Sequence, residues 1–143
     1  MEQGYRFLED EVTADIAFEA YGKDLNELFE NCCLAVTEIM VDLNDVNPVI
    51  RKESKKSNES IEDLLYDLLS EVVTLKDSES LLFRQFIIRI NKEGNKYVMN
   101  AAFYGEQISN EMNLKIDVKA ITLHEFNIKK EEKLWKAHII VDI

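Results

Sequence analysis

Cysteine, proline, histidine and tryptophan are scarce in this 143-residue chain, at two, one, two and one residues respectively. The two cysteines are neighbours, Cys32 and Cys33, inside an apolar helical pattern. Adjacent residues rarely reach disulfide geometry, so they read as small core residues of a protein kept in a reducing compartment. The two histidines have no partner at ligand spacing and there is no Cys/His cluster, which excludes a soft zinc site. Four glycines, Gly4, Gly22, Gly94 and Gly105, are too dispersed to cradle a phosphate. Positive charge is short as well: 17 Lys and Arg stand against 28 Asp and Glu, a net charge of −11. That balance argues against direct nucleic-acid binding and against anionic membrane surfaces, since both need cations to displace counterions. The longest uncharged run, Tyr97 to Gly105, is far short of a membrane span. The opening Met1-Glu2-Gln3-Gly4 has no secretory character. The expectation is a cytoplasmic, monomeric protein with one domain over residues 1–143 and a substantial core.

What is present is a 46% hydrophobic, 31% charged composition with clear periodicity. Tyr5 to Glu9 reads as a short strand, and Asp15 to Tyr21 as another with Ile16, Phe18 and Ala20 on one face. Gly22 breaks the pattern, Asp24 and Glu27 give a capping signal, and apolar residues from Leu25 to Met40 recur at helical spacing over about 25–41. The region from Asn44 to Val49, with Pro48, is a connection; residues 49–57 are polar, an edge strand or a loop, and their lysines read as a solvated segment. Ser60 and Asp63 repeat the capping signal before a second helix to about Leu75. Strands are expected at Leu81 to Ile90, Tyr97 to Tyr104, Lys115 to Ile128 and Leu134 to Asp142. Turns are expected at Lys92 to Asn95 and Lys129 to Lys133. The fold class is α+β: two helices packed on a largely antiparallel sheet of about six or seven strands, a single-domain sandwich.

Carboxylates carry what chemistry the residues suggest. Asp142 is penultimate in the apolar strand Ala137 to Ile143, Ile143 adds a main-chain or terminal oxygen, and Asp15 opens an early strand. If the two strands meet, hard oxygens converge and would take Ca²⁺ or Mg²⁺ over a soft metal. Spacing alone does not require this, because strand-end aspartates are as a rule simply solvated. His138 falls on the face opposite Trp135, Ala137, Ile139 and Val141 and reads as structural. Lys119 and His124 fall on opposite faces of the strand assigned to them, so they do not read as one acid–base pair.

Several phrases together resemble the archease family. They are Phe7-Leu8-Glu9, Thr13-Ala14-Asp15-Ile16, Ala20-Tyr21-Gly22-Lys23, Leu28-Phe29-Glu30-Asn31, Leu64 to Glu71, Tyr104-Gly105-Glu106, Val118-Lys119-Ala120-Ile121-Thr122-Leu123-His124 and Trp135 to Ile143. Their order is kept across nearly the whole chain. The resemblance implies an accessory protein of the RtcB-type RNA ligase of tRNA splicing, a ligase that uses GTP and divalent metal through a guanylylated histidine of its own. It implies that the chain promotes guanylylation and multiple turnover without joining RNA itself. It further implies a metal site at Asp15, Asp142 and Ile143, and places Lys119 and His124 in a family phrase as candidate partner contacts. The chain departs from the pattern at Val12, where many members have His, and across Ser109-Asn110-Glu111-Met112-Asn113, where a histidine is also common.

Two rival functions remain open. One is a general chaperone or modulator of RNA-modifying enzymes such as a tRNA methyltransferase. The other is a metal-dependent hydrolase, disfavoured because no histidine base or activated nucleophile sits near the carboxylates.

Overall fold

The computed structural model describes residues 4–8 and 15–143. The chain order is β1 (Tyr5–Leu8), β2 (Asp15–Gly22), α1 (Leu25–Met40), β3 (Ile50–Asn58), α2 (Ile61–Glu79), β4 (Leu81–Glu93), β5 (Lys96–Gln107), β6 (Ala120–Ile121), β7 (Asn127–Glu131) and β8 (Leu134–Asp142), with a 3₁₀ turn at Leu43–Asp45. The expected Glu9 end of the first strand, Val12 and the Thr13-Ala14 phrase lie outside the described residues.

The α+β sandwich with antiparallel pairing is observed, its eight described strands divided between two sheets. One has the order β1-β2-β8-β6, with β7 also paired to β8; the other has the order β3-β5-β4. Both helices touch strands of both sheets, so they form the middle layer. Each sheet therefore buries one face and turns the other outward. Alternation makes this possible: Phe18, Ala20, Ala137, Ile139 and Val141 face the helices from the first sheet. Phe83, Ile88, Met99 and Phe103 do so from the second. The helices answer with Leu28, Phe29, Cys32 and Val36, and with Leu64, Leu65, Leu68 and Val72, all essentially inaccessible to solvent. Burial pushes both cysteine thiols well up, leaving them inert core residues.

The capping signals act as expected. Asp24 Oδ1 accepts from Glu27 N at 2.8 Å, and Ser60 Oγ accepts from Asp63 N at 3.2 Å. The second helix runs past Leu75 to Glu79 because Lys76, in its last turn, is drawn inward. Its ammonium binds Asp117 and donates to the Val118 carbonyl at 2.7 Å.

The same anchor explains the main correction. Lys115 to Ile128 is not one strand; only Ala120–Ile121 and Asn127 onward are extended in the sheet. Val118 is fully buried and held by Lys76, and Lys115 N and Ile116 N donate to Met40 and Ile39 carbonyls at the end of α1. Glu125 then turns at φ 52°. Alternating side chains over this stretch thus meet a helix end, not a strand partner. The charged turn also contracts, to Glu132 and Lys133, since β7 extends to Glu131. Of the polar segment 49–57, Ile50 onward resolves as an edge strand, β3, of the second sheet.

Sheet edges are closed by helix side chains. Asn26 Oδ1 accepts from Ile90 N at 2.8 Å and Glu30 Oε2 from Ile88 N at 3.3 Å, along the free side of β4. Glu62 Oε2 accepts from Ile128 N at 3.1 Å on β7. On β3, Lys52 and Lys56 turn inward to Glu79 (2.7 Å) and Glu71 (3.5 Å), an arrangement that discourages edge-to-edge pairing.

Candidate functional site

The outer face of the first sheet carries the carboxylates. Strands β2 and β8 run antiparallel in a register that sets Asp15 directly opposite Asp142 and Ile16 opposite Val141. Directly opposed residues project to the same face with Cβ atoms about 5 Å apart. On the far side of β8, Ala120 of β6 stands opposite Asp142. The outer row at this end of the sheet is therefore Asp15–Asp142–Ala120, two acids beside a methyl group, with Ile143 one residue beyond. Both aspartates are partly exposed. Their side chains form no hydrogen bond or ion pair among the described residues.

Local structure holds this row firmly. The Lys119 N–H donates to the Asp142 carbonyl at 2.8 Å, and Thr122 N donates to the Ile140 carbonyl at 3.0 Å. The next row inward is Ala17–Ile140–Thr122, where Ala17 and Ile140 are 3% and 1% exposed although they lie on the outer face. Thr122 Oγ1 is buried there with no hydrogen-bond partner. Farther along the same face, Glu19 lies opposite both Arg6 and His138. Its carboxylate accepts from Arg6 Nη2 at 2.7 Å and from the Tyr21 hydroxyl at 2.9 Å, with Lys136 Nζ at 3.7 Å. Burial pushes this carboxyl up, but the Tyr21 and Arg6 hydrogen bonds and the Lys136 charge outweigh it and hold it below the ordinary value. This end of the face is thus neutralised internally, whereas the Asp15–Asp142 end is not.

Residues 5–143 match the model of the Archease protein family. The chain belongs to the archease family. "Protein archease" of Methanothermobacter thermautotrophicus is 36% identical over 141 residues, covering 99% of each chain. "Protein archease" of Pyrococcus abyssi is 37% identical over 93% of this chain and 95% of its own. The solution structure of protein 1598 of Methanobacterium thermoautotrophicum superposes with a TM-score of 0.87 at 36% identity, covering 98% of this chain and 99% of that one. A crystal structure from Thermotoga maritima, described as an archease and possible chaperone, shares the fold at a TM-score of 0.62 and 23% identity, over 95% and 96% of the two chains.

Among the described residues of this archease-family chain, no three His, Cys, Asp or Glu side chains gather as a ligand set. The side-chain donors at the row are two carboxylates, so a bound ion would need main-chain or solvent oxygens as well. The donor chemistry nonetheless fits a hard cation. Like charges directly across a strand pair repel, and among the described residues no Lys or Arg in ion-pair contact compensates these two. An oxygen-only donor set selects Ca²⁺ or Mg²⁺ over transition metals.

The remaining sequence candidates separate. Lys119 is tied to the row through its main chain, and its exposed side chain makes no ion pair among the described residues. His124 lies in the exposed turn after β6 and not on a strand shared with Lys119, so the face argument made for the pair does not apply. His138 lies on the outer face, opposite Glu19, with its Nδ1 2.9 Å from the Glu125 carbonyl. Sequence reasoning missed Thr122 and the Arg6–Glu19–Tyr21–Lys136 network. Glu19 and Tyr21 follow Asp15 at even spacing and could have been assigned to its face. Arg6 and Thr122 could not, since only the strand register places them.

No helix among the described residues is long and apolar enough to cross a membrane.

Proposed function

We propose that this protein is a cytoplasmic accessory factor, not an enzyme, that activates an RtcB-type RNA ligase in tRNA splicing. In this reading it promotes guanylylation of the ligase and its multiple turnover through the Asp15–Asp142 row. The observation that carries the reading is the direct opposition of Asp15 and Asp142 at an exposed end of the sheet, in a chain of the archease family. Asp15 and Asp142 would hold Ca²⁺ or Mg²⁺ with the main chain of Ile143. Such an ion supplies a Lewis-acidic point for phosphate oxygens. Asp15 and Asp142 present the donors; the Lys119 N–H and the β2 and β6 pairings hold Asp142 in place. Lys119, beside the row, and His124, in the turn nearer His138, serve as partner contacts in this reading. The acidic surface favours encounter with the basic cleft that an RNA ligase needs.

The test is ligation by the cognate ligase under single and multiple turnover. Asp15→Asn and Asp142→Asn are expected to fold and to lose the multiple-turnover stimulation by tenfold or more, with ligation by pre-guanylylated ligase unchanged. Full stimulation by both variants would refute the carboxylate mechanism.

A second reading, a chaperone for RNA-modifying enzymes such as a tRNA methyltransferase, is favoured by one feature. A groove of about 280 Å³ next to β2 is lined by Phe7, Ile16, Ile39 and Ile116, with Phe7 39% and Ile116 43% exposed. Suppression of client aggregation that survives Asp142→Asn would support it.

A further inference from the structure

The net charge of −11 conceals a strong asymmetry. Strands β3, β4 and β5 hold eight of the seventeen Lys and Arg but three of the twenty-eight Asp and Glu. Because both helices lie between the sheets, the outward face of β3-β5-β4 is on the side of the molecule opposite the Asp15–Asp142 row.

Register assigns that face residue by residue. Its cross-strand rows are Arg51–Tyr104–Gln85, Glu53–Ala102–Ile87, Lys55–Asn100–Arg89 and Ser57–Val98–Asn91, with Lys96 opposite Glu93 beyond them. Two adjoining depressions, of about 550 and 570 Å³, lie along it, and Lys55 lines both. Of its three acids, Glu53 is engaged by Arg51 at 2.5 Å and Glu106 by Asn47 N at 2.9 Å, and Glu93 stands opposite Lys96 without an ion pair among the described residues. Lys55, Arg89 and Lys96 make no ion-pair contact among the described residues, and Arg89 acts on Glu30 only at longer range. Lys55 and Arg89 flank Asn100 at about 10 Å Cα separation, and Lys96 lies about 14 Å farther along β5.

We propose that this open sheet face binds the backbone of a single-stranded polynucleotide, independently of the carboxylate row. Three uncommitted cations meet phosphates. The floor of Ile87, Val98 and Ala102 offers apolar contact to bases, and the Asn100, Asn91 and Gln85 amides offer both donors and acceptors to base edges. Arg51 lies 5.8 Å above the Tyr104 ring, forming a planar platform at one end of the face. An acidic peptide would need the cations alone; the amides, ring and broad floor favour a nucleobase polymer. The acidic remainder of the molecule keeps the affinity low, so binding belongs to a factor that contacts a strand already held elsewhere.

The experiment is fluorescence anisotropy of a labelled 12-nucleotide oligouridine with the full chain, across a salt series. Binding is expected with a log–log salt slope of about −2, as for three phosphate contacts. The Lys55→Glu/Arg89→Glu/Lys96→Glu variant should bind at least tenfold more weakly at unchanged melting temperature, and Asp142→Asn should bind as the wild type does. No binding at low salt, equal binding by the triple variant, or displacement of the RNA by an equimolar glutamate 12-mer would each overturn the proposal.

Discussion

Glu30 shows how one side chain serves two elements. It projects from α1 to accept the Ile88 N–H of β4, so the helix closes an open sheet edge. Burial raises its pKa, reinforced by Asp24 and Glu27; the Ile88 N–H and Arg89 only partly offset this. A carboxyl whose folded pKa lies above the unfolded one subtracts stability once it ionises. That cost is absent below the unfolded value, near pH 4.5, and complete above the raised one. Glu30→Gln keeps an acceptor for Ile88 N without the charge. Its melting temperature is expected to match the wild type at pH 4 and exceed it at pH 7. A melting temperature below the wild type's at pH 7 would contradict this and show that the ionised carboxylate stabilises the fold.

At the scale of elements, Gly105 is the tightest point. A Cβ there would lie 1.9 Å from the Leu82 carbonyl oxygen and 2.6 Å from Phe83 Cα, where β4 shifts register between Phe83 and Gln85. Both contacts are backbone and cannot yield cheaply. Gly105→Ala is expected to destabilise by about 3 kcal/mol or more, measured by urea denaturation; a loss below about 0.5 kcal/mol would contradict the packing described.

The elements with strong local signals were legible in the sequence. Both helices announced themselves through caps and apolar spacing, the Gly94 hairpin through its turn residues, and β2 and β8 through alternation. The polar edge strand β3 was ambiguous, since its alternation is of lysines and serines facing Glu71 and Glu79, a pattern that gains meaning only once α2 is in place. The stretch from Lys115 misled because its alternation serves burial against α1 and an anchor at Lys76, contacts about forty residues or more distant in sequence. For the candidate site, residue types and strand ends were readable; the register that opposes Asp15 to Asp142 was not, because it depends on the pairing of chain segments more than a hundred residues apart.

For the molecule as a whole, the two outward faces differ in character. One ends in an uncompensated carboxylate pair; the other presents Arg51, Lys55, Arg89 and Lys96. The helices between them pack against both sheets, and the buried charge among the described residues, Lys76, is paired with Asp117, so the faces can act separately. Thermal denaturation of the wild type and Asp142→Asn, in EDTA and in millimolar CaCl₂ or MgCl₂, tests the carboxylate site most directly. Removing one of two opposed charges should leave the variant at least as stable as the wild type in EDTA, and the added cation should raise only the wild-type melting temperature, by several degrees. Equal cation-induced shifts in both proteins, or none in either, would contradict the account.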